Sequence, residues 1–398
     1  MVRILPRKQN DLAAAAANAI APQNLVVFPI RLIAAQDLWA AKVNRNYNDF
    51  HSGVSMTVLV TGGAGYIGGH MVLALLDAGE QVIVLDDLST GFRSAVQPPA
   101  QLIVGDFGDT ALVDSIIREH DIDAIAHFAA KIVVPESVAD PLRYYFNNTA
   151  KARNLLECAV RHKIKHFIFS STAAVYGEPE TDPVDERVPL APINPYGRSK
   201  LMTEWMLQDA GQAHGLKYVI LRYFNVAGAD PKGRLGQSTP QATHLIKVAV
   251  QTALGFRPGL EVYGADYPTR DGTCIRDYIQ VTDLISAHLM ALDHLRKGGD
   301  SLICNCGYGK GFSVLEVIDV VKRVSGVDFN VKISGRRAGD PASLVAGAER
   351  IQSTLGWTPR YNDLATIVAQ ALNWERRLHN QPAAEDLPVS NSVSHGTV

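Results

Sequence analysis

The chain has 398 residues, of which 47% are hydrophobic and 20% are charged, and its formal net charge is −2. A chain of this length and composition is expected to be a soluble globular protein with a sizeable core and room for two lobes. The charge argues against nucleic acid as a partner, and no apolar run reaches the roughly 18 residues of a membrane span.

The four cysteines are too few and too scattered for a disulfide framework. They are Cys158, Cys274, Cys304 and Cys306, and the spacing of the last pair is neither a redox motif nor a usual metal-ligand spacing. We therefore expect buried thiols in a reducing compartment, which favours the cytoplasm, and we expect no metal site.

Residues 1–55 do not share the pattern of the rest of the chain. They begin with an alanine-rich segment, and the apolar stretch that follows at 26–41 is interrupted by Pro29 and by charged residues. This stretch lacks the small-residue cleavage pattern of a secretory signal. Met56 directly precedes the first predicted strand, so we expect 1–55 to be an extension outside the fold, with a targeting segment as the alternative.

The stretch TVLVTGGAGYIG at 57–68 predicts a strand, a tight turn and the start of a helix. Gly62 permits the sharp turn off the strand, and Gly65 lets the backbone approach a pyrophosphate. Gly68 allows the helix to lie close to the sheet. The free N–H groups of the first helical turn then face the phosphates. This turn is typical of a dinucleotide-binding site.

A second apolar strand at 81–85 ends on Asp86, roughly 20 residues after the glycines. A carboxylate at this strand end accepts hydrogen bonds from the ribose hydroxyls of the adenosine and repels the 2′-phosphate of NADP. Asp86 therefore predicts NAD as the cofactor.

From Met56 onward the chain alternates strands and helices, which predicts a Rossmann-type, doubly wound parallel sheet of the α/β class. Strands are predicted at 58–60, 82–85, 102–104, 124–128, 166–169 and 218–221. Helices are predicted at 69–78, 110–120, 142–163, 196–214, 244–254, 283–295 and 314–325. We expect 56–225 to be mainly the NAD-binding domain, 226–379 to be mainly a smaller substrate lobe with returns to the sheet, and 380–398 to be a disordered tail.

Tyr196 and Lys200 lie four residues apart at the start of a predicted helix, so their side chains share one face. A phenol with its ordinary pKa near 10 is a poor base at neutral pH, but a neighbouring cation lowers that pKa. Tyr196 is thus a candidate general base. Thr172, or a neighbouring serine of Ser170-Ser171, follows a strand and would hydrogen bond the substrate oxygen on which Tyr196 acts.

These motifs resemble the extended short-chain dehydrogenase/reductase family. The glycine turn, the Asp-Asp-Leu at 86–88, the His-Phe-Ala-Ala at 127–130, the Ser-Ser-Thr at 170–172, the Asn-Pro-Tyr-x-x-x-Lys at 194–200 and the Leu-Arg-Tyr-Phe-Asn at 221–225 all carry the likeness. The segments at 263–273, 275–279 and 336–341 look specifically like the UDP-glucose 4-epimerases of that family. The likeness extends from about Thr57 to Arg376.

The resemblance implies a bound NAD, a UDP-sugar substrate and a set of residues for each. On the cofactor side these are Tyr66, Ile67, Asp86, Asp87, Leu88, Ser89, Asp106, Phe107, Phe128, Ala129, Ala130, Ile132, Asn148, Tyr196, Lys200 and Phe224. On the sugar-nucleotide side they are Thr172, Asn225, His244, Leu245, Tyr263, Arg276, Arg337, Asp340 and Leu344. The arginines suit a diphosphate, because a guanidinium is a rigid fork of donors.

Two positions depart from the family pattern. Several relatives have a cofactor-contacting lysine where this chain has Ile132, and Lys131 precedes it by one place. Relatives have a tyrosine or a small residue at the position of Leu344, which borders the sugar. The acceptance of N-acetylated sugars therefore stays open.

The resemblance implies interconversion of UDP-glucose and UDP-galactose through a 4-keto sugar, by a homodimeric cytoplasmic enzyme. Another UDP-sugar 4-epimerase, acting on N-acetylglucosamine, glucuronate or xylose, is the alternative. A 4,6-dehydratase needs an Asp-Glu pair where this chain has Ala173 and Ala174, and a non-catalytic NAD sensor would usually lack Tyr196 and Lys200.

Overall fold

The computed structural model of the protein describes residues 56–239, 242–337 and 339–380. The predicted extension at 1–55 and the predicted tail after residue 380 lie outside this range. Within it, no helix has the length and apolar character needed to cross a membrane.

Seven parallel strands form the central sheet, in the order β10-β6-β5-β4-β1-β2-β3. These strands are β1 (Thr57–Thr61), β2 (Gln81–Asp86), β3 (Gln101–Val104), β4 (Ile122–His127), β5 (His166–Thr172), β6 (Lys217–Tyr223) and, much later in the chain, β10 (Leu302–Cys306). The six strands predicted before residue 225 are all present. The Rossmann-type doubly wound sheet is confirmed, and β1 lies beside β4 at the point where the strand order reverses.

Helices cover both faces of this sheet, and further helices belong to the rest of the chain. In chain order, the helices of the described residues are α1 (Tyr66–Asp77), α2 (Thr110–His120), α3 (Val134–Ala139), α4 (Pro141–Tyr144), α5 (Lys151–Arg161), α6 (Pro195–His214), α7 (Leu245–Ala253), α8 (Val281–Arg296), α9 (Val314–Ser325), α10 (Glu349–Leu355) and α11 (Leu364–Asn380). Of these, α7, α9 and α11 pack together in a separate core cluster. Successive β1 residues point to opposite faces, and both faces are apolar. Val58 and Val60 pack in the core cluster that holds residues of α1 and α8, and Leu59 packs in the one that holds residues of α2 and α5.

The single helix predicted at 142–163 is wrong in its detail. The chain forms α3 and α4 first, because Pro141 at the first turn of α4 and the Asp140 side chain, which accepts the Arg143 amide, start a new helix. A π-helical segment, Tyr145–Ala150, then leads into α5. This wider turn holds Asn148, whose side chain is buried, and π-helical turns are frequent at functional sites.

The chain after β6 builds the second, smaller region. Strands β7 (Asn225–Ala227), β9 (Ile275–Gln280), β11 (Gly311–Ser313) and β13 (Ser343–Leu344) form one sheet, and β8 (Leu260–Tyr263) pairs with β12 (Val331–Ser334). Strand β7 follows β6 almost directly, so the second sheet starts beside the carboxyl ends of the central strands.

Candidate active site

The glycine turn after β1 forms a cradle that larger residues would close. Gly62 has φ +74°, and a Cβ there would lie 2.6 Å from the Ala129 nitrogen in the loop after β4. A Cβ on Gly68 would lie 2.1 Å from the Gly62 carbonyl oxygen. Helix α1 begins after Gly65 without a side-chain cap, so the amides of Tyr66 and Ile67 at its start are available to an anion. A dinucleotide pyrophosphate fits this cradle.

Asp86 shapes the end of β2 as well as presenting a carboxylate there. One of its oxygens accepts the Ala64 amide at 2.9 Å and the other accepts the Leu88 amide at 2.8 Å. Leu88 has φ +57°, a left-handed conformation that few larger residues adopt. The Asp87 side chain accepts the Ser89 amide at 2.9 Å. Burial raises the pKa of Asp86, and these amide bonds work in the opposite direction. The carboxylate is therefore fixed at the carboxyl end of β2.

Asp106 and Phe107, expected around the adenine, differ in what they offer. The Asp106 carboxylate forms an ion pair with Lys151 at 2.6 Å and accepts the Gly108 amide at 2.8 Å. The Phe107 ring is buried in the core, 5.0 Å from the His127 ring. Phe107 could therefore meet an adenine through its backbone more readily than through its ring.

The loop after β4 carries Phe128, Ala129, Ala130 and Ile132 past the glycine cradle, and Asn148 holds it in place. The Asn148 side chain accepts the Lys131 amide at 2.9 Å and donates to the Lys131 carbonyl at 2.9 Å. It also donates to Ser199 Oγ on α6 at 3.1 Å. Asn148 thus joins this loop to the helix that bears Tyr196, while the Ile132 side chain is 49% exposed.

Tyr196 lies on the first turn of α6, directly beside the end of β5. The Asn194 side chain caps this helix by accepting the Gly197 amide at 2.9 Å. A Cβ on Gly197 would lie 2.6 Å from the Ala174 carbonyl oxygen, so glycine permits this close approach. Thr172, the last residue of β5, lies near Tyr196, and its hydroxyl acts to lower the pKa of Tyr196. A substrate hydroxyl placed between these two side chains would meet both at once.

The ionisation of Tyr196 depends on burial as well as on its neighbours. Burial raises its pKa, and the Thr172 hydroxyl lowers it. The Lys200 ammonium donates to the Ser170 carbonyl at 2.8 Å and lies 4.9 Å from the centre of the Phe169 ring. Burial lowers the pKa of Lys200 to about 7. Desolvation therefore dominates both groups in the protein alone, and the lowering of the Tyr196 pKa by a charged Lys200 stays a prediction.

The polar residues expected at the diphosphate form one cluster. Arg337 donates to Asp340 at 2.9 Å, and its guanidinium lies 5.6 Å from the centre of the Tyr263 ring. Arg276 lies 3.8 Å from the same Asp340. The Tyr263 hydroxyl donates to Glu261 at 3.0 Å and is not directed at the arginines. Two guanidinium groups thus share one carboxylate, an arrangement suited to a doubly charged phosphate ligand.

Leu344 connects this cluster to the Tyr196 side. Strand β13 pairs with β9 so that Leu344 is opposite Arg276. The buried Leu344 side chain also belongs to an apolar cluster with Phe224 and with Leu201 of α6. The wall between the arginines and the catalytic helix is therefore apolar.

Asn225, His244 and Leu245 line one small cavity behind β7. His244 Nδ1 lies 2.9 Å from Gln237 Nε2, and burial lowers the pKa of His244. These three residues are brought together, and Asn225 pairs with Tyr278 on β9, the strand that also bears Arg276. In the described ranges, no group of three His, Cys, Asp or Glu side chains is placed to hold a metal ion.

Several residues at the site escaped the sequence analysis. Glu204 and Arg222 form a fully buried ion pair at 2.6 Å behind Lys200. The Tyr223 hydroxyl hydrogen bonds Ser170 Oγ. The spacing of Tyr196, Lys200 and Glu204 at four-residue intervals was a signal for Glu204, but nothing in the sequence pairs it with Arg222 on a separate strand.

The comparisons with known proteins agree with this geometry. Residues 58–307 match the model of the NAD dependent epimerase/dehydratase family. The chain is 57% identical to the UDP-glucose 4-epimerase of Azospirillum brasilense over 334 residues, which are 84% of this chain and 96% of that protein.

Two solved structures are also similar. The UDP-glucose 4-epimerase from Brucella ovis, in complex with NAD, is 44% identical with a TM-score of 0.78, over 80% of this chain and 98% of that one. The UDP-Glc/GlcNAc 4-epimerase of Campylobacter jejuni is 49% identical with a TM-score of 0.72, over 81% of this chain and 100% of that one. The chain therefore belongs to the NAD dependent epimerase/dehydratase family, and within it to the group of the UDP-glucose 4-epimerases.

Proposed function

We propose that this protein is a UDP-glucose 4-epimerase that interconverts UDP-glucose and UDP-galactose through a 4-keto sugar, with NAD as a resident cofactor. The observation that carries the proposal is the placement of Tyr196 and Lys200 on the first turns of α6, where Asn194 caps the helix and Lys200 binds the end of β5, the strand that ends at Thr172. The similarity to epimerases of known name over four fifths of the chain supports the same activity.

The NAD would lie on the 56–225 region. The start of α1 would hold its pyrophosphate, and Asp86 would hold the adenosine ribose. The loop after β4 would line the dinucleotide, with Lys200 and Phe224 toward the nicotinamide. When bound, NAD supplies a reversible hydride acceptor for C4 of the sugar. The glycine cradle and the uncapped helix fit this group.

Tyr196 would move the proton of the reaction. As general base it takes the proton of the sugar 4-hydroxyl while the C4–H bond breaks, and as general acid it returns the proton to the 4-keto oxygen. Thr172 would hydrogen bond the same oxygen in both directions. The side chain of Lys200, when charged, would favour the phenolate form of Tyr196.

The UDP-sugar would lie between the central sheet and the 226–379 region. We assign Arg276 and Arg337 to the diphosphate, since each is a donor fork already held in place by Asp340. Asn225, His244 and Leu245 would contact the nucleotide side, and Leu344 the sugar. The keto sugar must turn over between the two hydride transfers, and an apolar wall at Leu344 leaves it free of strong polar contacts.

The turn after Thr172 makes a dehydratase the weaker candidate. Residues Ala173 and Ala174 form a short 3-10 turn whose methyl side chains offer no acid or base. Elimination of water from the sugar needs both. The retained Tyr196 and Lys200 likewise argue against a non-catalytic sensor.

Incubation of the purified protein with UDP-galactose, without added NAD, tests the proposal. We expect an equilibrium mixture of UDP-galactose and UDP-glucose, resolved by proton NMR. Parallel incubations with UDP-N-acetylglucosamine, UDP-glucuronate and UDP-xylose test the alternative substrates. A protein that converts UDP-glucuronate or UDP-xylose faster than UDP-galactose would contradict the assignment.

We also propose that the enzyme is a homodimer. Val138, Leu142 and Phe146 recur every fourth residue along α3, α4 and the π-helical segment, and they are 62%, 76% and 63% exposed. Trp205 on the adjacent α6 is 52% exposed. A contiguous apolar surface of this kind is typical of a protein interface, and a second copy would cover it. Light scattering should show a dimer that Leu142→Glu dissociates and that the control Val327→Glu leaves intact.

We further infer that the enzyme acts in the cytoplasm. Its four cysteines are all free and buried, which suits a compartment where thiols stay reduced. Localisation of the tagged protein by fractionation tests this inference.

A further inference from the structure

Three polar residues of α6 share one face and lead from the active site into the interior. They are Tyr196, Lys200 and Glu204, spaced four residues apart. Tyr196 is partly exposed, Lys200 is buried and Glu204 is fully buried. The Glu204 carboxylate thus lies one helical turn below the Lys200 side chain, which itself lies one turn below Tyr196.

The Glu204 carboxylate is held by two strands of the central sheet. Ser171 Oγ on β5 donates to one oxygen. Arg222 on β6 donates to both oxygens, through Nε at 3.1 and 3.2 Å and through a terminal nitrogen at 2.6 Å. These contacts give the carboxylate a hydroxyl donor and a guanidinium fork, and they leave neither of its oxygens without a partner.

Arg222 is itself held by further hydrogen bonds to buried side chains. Its other terminal nitrogen donates to the Tyr176 hydroxyl at 3.0 Å, and that hydroxyl donates to the Asn305 side chain at 2.7 Å. A buried ion pair gives little net stability when compared with apolar residues of similar size. The pair and its anchors therefore call for a role beyond stability.

The groups around Lys200 indicate that this role concerns the positive charge of Lys200. Burial works against its positive charge, and the Glu204 charge works for it. The other titratable or charged groups around it are Tyr196 on α6, His127 on β4, and Tyr223 and Arg222 on β6; the Arg222 guanidinium is paired with the Glu204 carboxylate. Burial keeps His127 neutral by lowering its pKa to about 3, and burial raises the pKa of Tyr223. None of these three neutral groups stabilises an ammonium through its charge.

We propose that Glu204 is a positioning residue of this enzyme: its buried carboxylate keeps the side chain of Lys200 charged beneath the active site. The inference rests on the proposed function, because the charge of Lys200 matters through Tyr196. Glu204 touches neither substrate nor cofactor and acts through Lys200 alone. Arg222 fixes the carboxylate in position, and Tyr176 fixes Arg222.

The test measures the protonation of Lys200 directly. In protein labelled with carbon-13 lysine and isolated with its own cofactor, the shift of the Lys200 ε-carbon is followed against pH, with Lys200→Met for assignment. Glu204→Gln keeps the size of the side chain and removes its charge. In this variant we expect the pH midpoint of the Lys200 titration to fall by about one pH unit or more, because a nearby opposite charge shifts a pKa by roughly 1–3 units. The alkaline limb of turnover with UDP-galactose should move to lower pH by the same amount.

Further variants separate charge from structure. Tyr176→Phe breaks the same buried network but keeps the Glu204 charge, so we expect a lower melting temperature with a Lys200 midpoint that shifts far less than in Glu204→Gln. Glu204→Asp retains the charge and should keep the midpoint closer to the wild-type value than Glu204→Gln does. If Glu204→Gln does not fold, Glu204→Gln with Arg222→Met removes both charges of the pair, and it should still lower the midpoint.

The proposal is overturned if Glu204→Gln, or the double variant in its place, leaves the Lys200 midpoint unchanged. It is equally overturned if Tyr176→Phe shifts that midpoint as much as Glu204→Gln does. A failure of the proposed function would look different. The wild-type protein would then not convert UDP-galactose, whereas the carbon-13 midpoints would still report on Glu204 and Lys200.

Discussion

The Lys200 ammonium donates a 2.8 Å hydrogen bond to the carbonyl oxygen of Ser170. This bond ties the catalytic helix to the end of the central strand of the site, two residues before Thr172. The ammonium therefore has a structural contact as well as an electrostatic one, and burial lowers its pKa to about 7.

Replacement of Lys200 by methionine should move the pH optimum of turnover upward. Without a nearby cation, the Tyr196 phenolate forms only at higher pH, and we expect a shift of about one pH unit. Initial rates with UDP-galactose between pH 6 and 10 measure it. An optimum that stays in place while the rate falls would assign Lys200 a purely structural contact with Ser170.

Tyr196→Phe should reduce turnover by about 10²–10⁴-fold, the usual contribution of a general acid–base group. The fold and the bound cofactor should remain, because the substitution removes only the hydroxyl and keeps the ring. Tyr218→Phe, on β6, is the matched control and should retain full turnover. A Tyr196→Phe enzyme within a few-fold of the wild type would remove Tyr196 from the proton transfer.

Denaturation of the purified protein should release NAD or NADH and not the phosphorylated dinucleotide. In cofactor-free protein, Asp86→Asn should reduce the preference for NAD over NADP by at least about tenfold, since it removes a charged hydrogen-bond acceptor. Asp300→Asn is the matched control, because that exposed carboxylate forms an ion pair with Lys217 and belongs to none of the predicted cofactor residues. Calorimetric titration with both dinucleotides measures the two preferences. An equal loss of the preference for NAD over NADP in the two variants would show that Asp86 does not bind the ribose.

Leu344 should set the tolerance for an N-acetyl group on the sugar. We expect UDP-glucose and UDP-galactose to be the main pair, with slow turnover of UDP-N-acetylglucosamine. Leu344→Tyr should lower the relative specificity constant for the acetylated sugar roughly tenfold, and Leu344→Ala should raise it, because each changes the volume beside C2. Leu190→Ala, in the same apolar cluster, should lower stability without changing that ratio. If the ratio of specificity constants for the two sugars is the same with Leu, Tyr and Ala at position 344, the sugar does not bind beside this residue.

Acid should destabilise the protein through its buried histidines. Burial lowers the pKa of His70 to about 4, of His127 to about 3 and of His288 to about 4. The unfolded chain binds these protons near pH 6.5 and the native state does not, so stability is lost as the pH falls from 6.5 toward 4. Each group should cost about 2 kcal/mol between pH 6.5 and 5.

His288→Met should remove one such contribution. The difference in free energy of unfolding between pH 7 and pH 5, measured with urea, should shrink by about 2 kcal/mol relative to wild type. All other groups titrate alike in both proteins, so the comparison isolates His288. An identical pH dependence would show that His288 is already protonated in the native state.

Local patterns in the sequence were sufficient for the parts of this protein that depend on neighbours along the chain. The glycine turn requires left-handed backbone and close approach, and both follow from residues 62–68 alone. Strands that are apolar along their whole length are typical of a sheet covered on both faces. The six strands predicted before residue 225 therefore followed from the sequence as well. The pairing of Tyr196 with Lys200 follows from helical spacing.

Contacts between distant segments were decided by the tertiary structure. The π-helical turn places Asn148 where its side chain reaches Lys131 and Ser199, and no periodicity encodes those contacts. The sequence predicted a cation that would lower the pKa of Tyr196. Burial raises that pKa and lowers the Lys200 pKa, because desolvation depends on what the whole fold places around a group. The Glu204–Arg222 pair, joined across 18 residues, has the same origin. Sequence by itself thus determined the groups that lie together in one turn or along one helix, and tertiary packing determined which distant groups join them and how burial shifts their pKa values, because burial and long-range contacts depend on the whole fold.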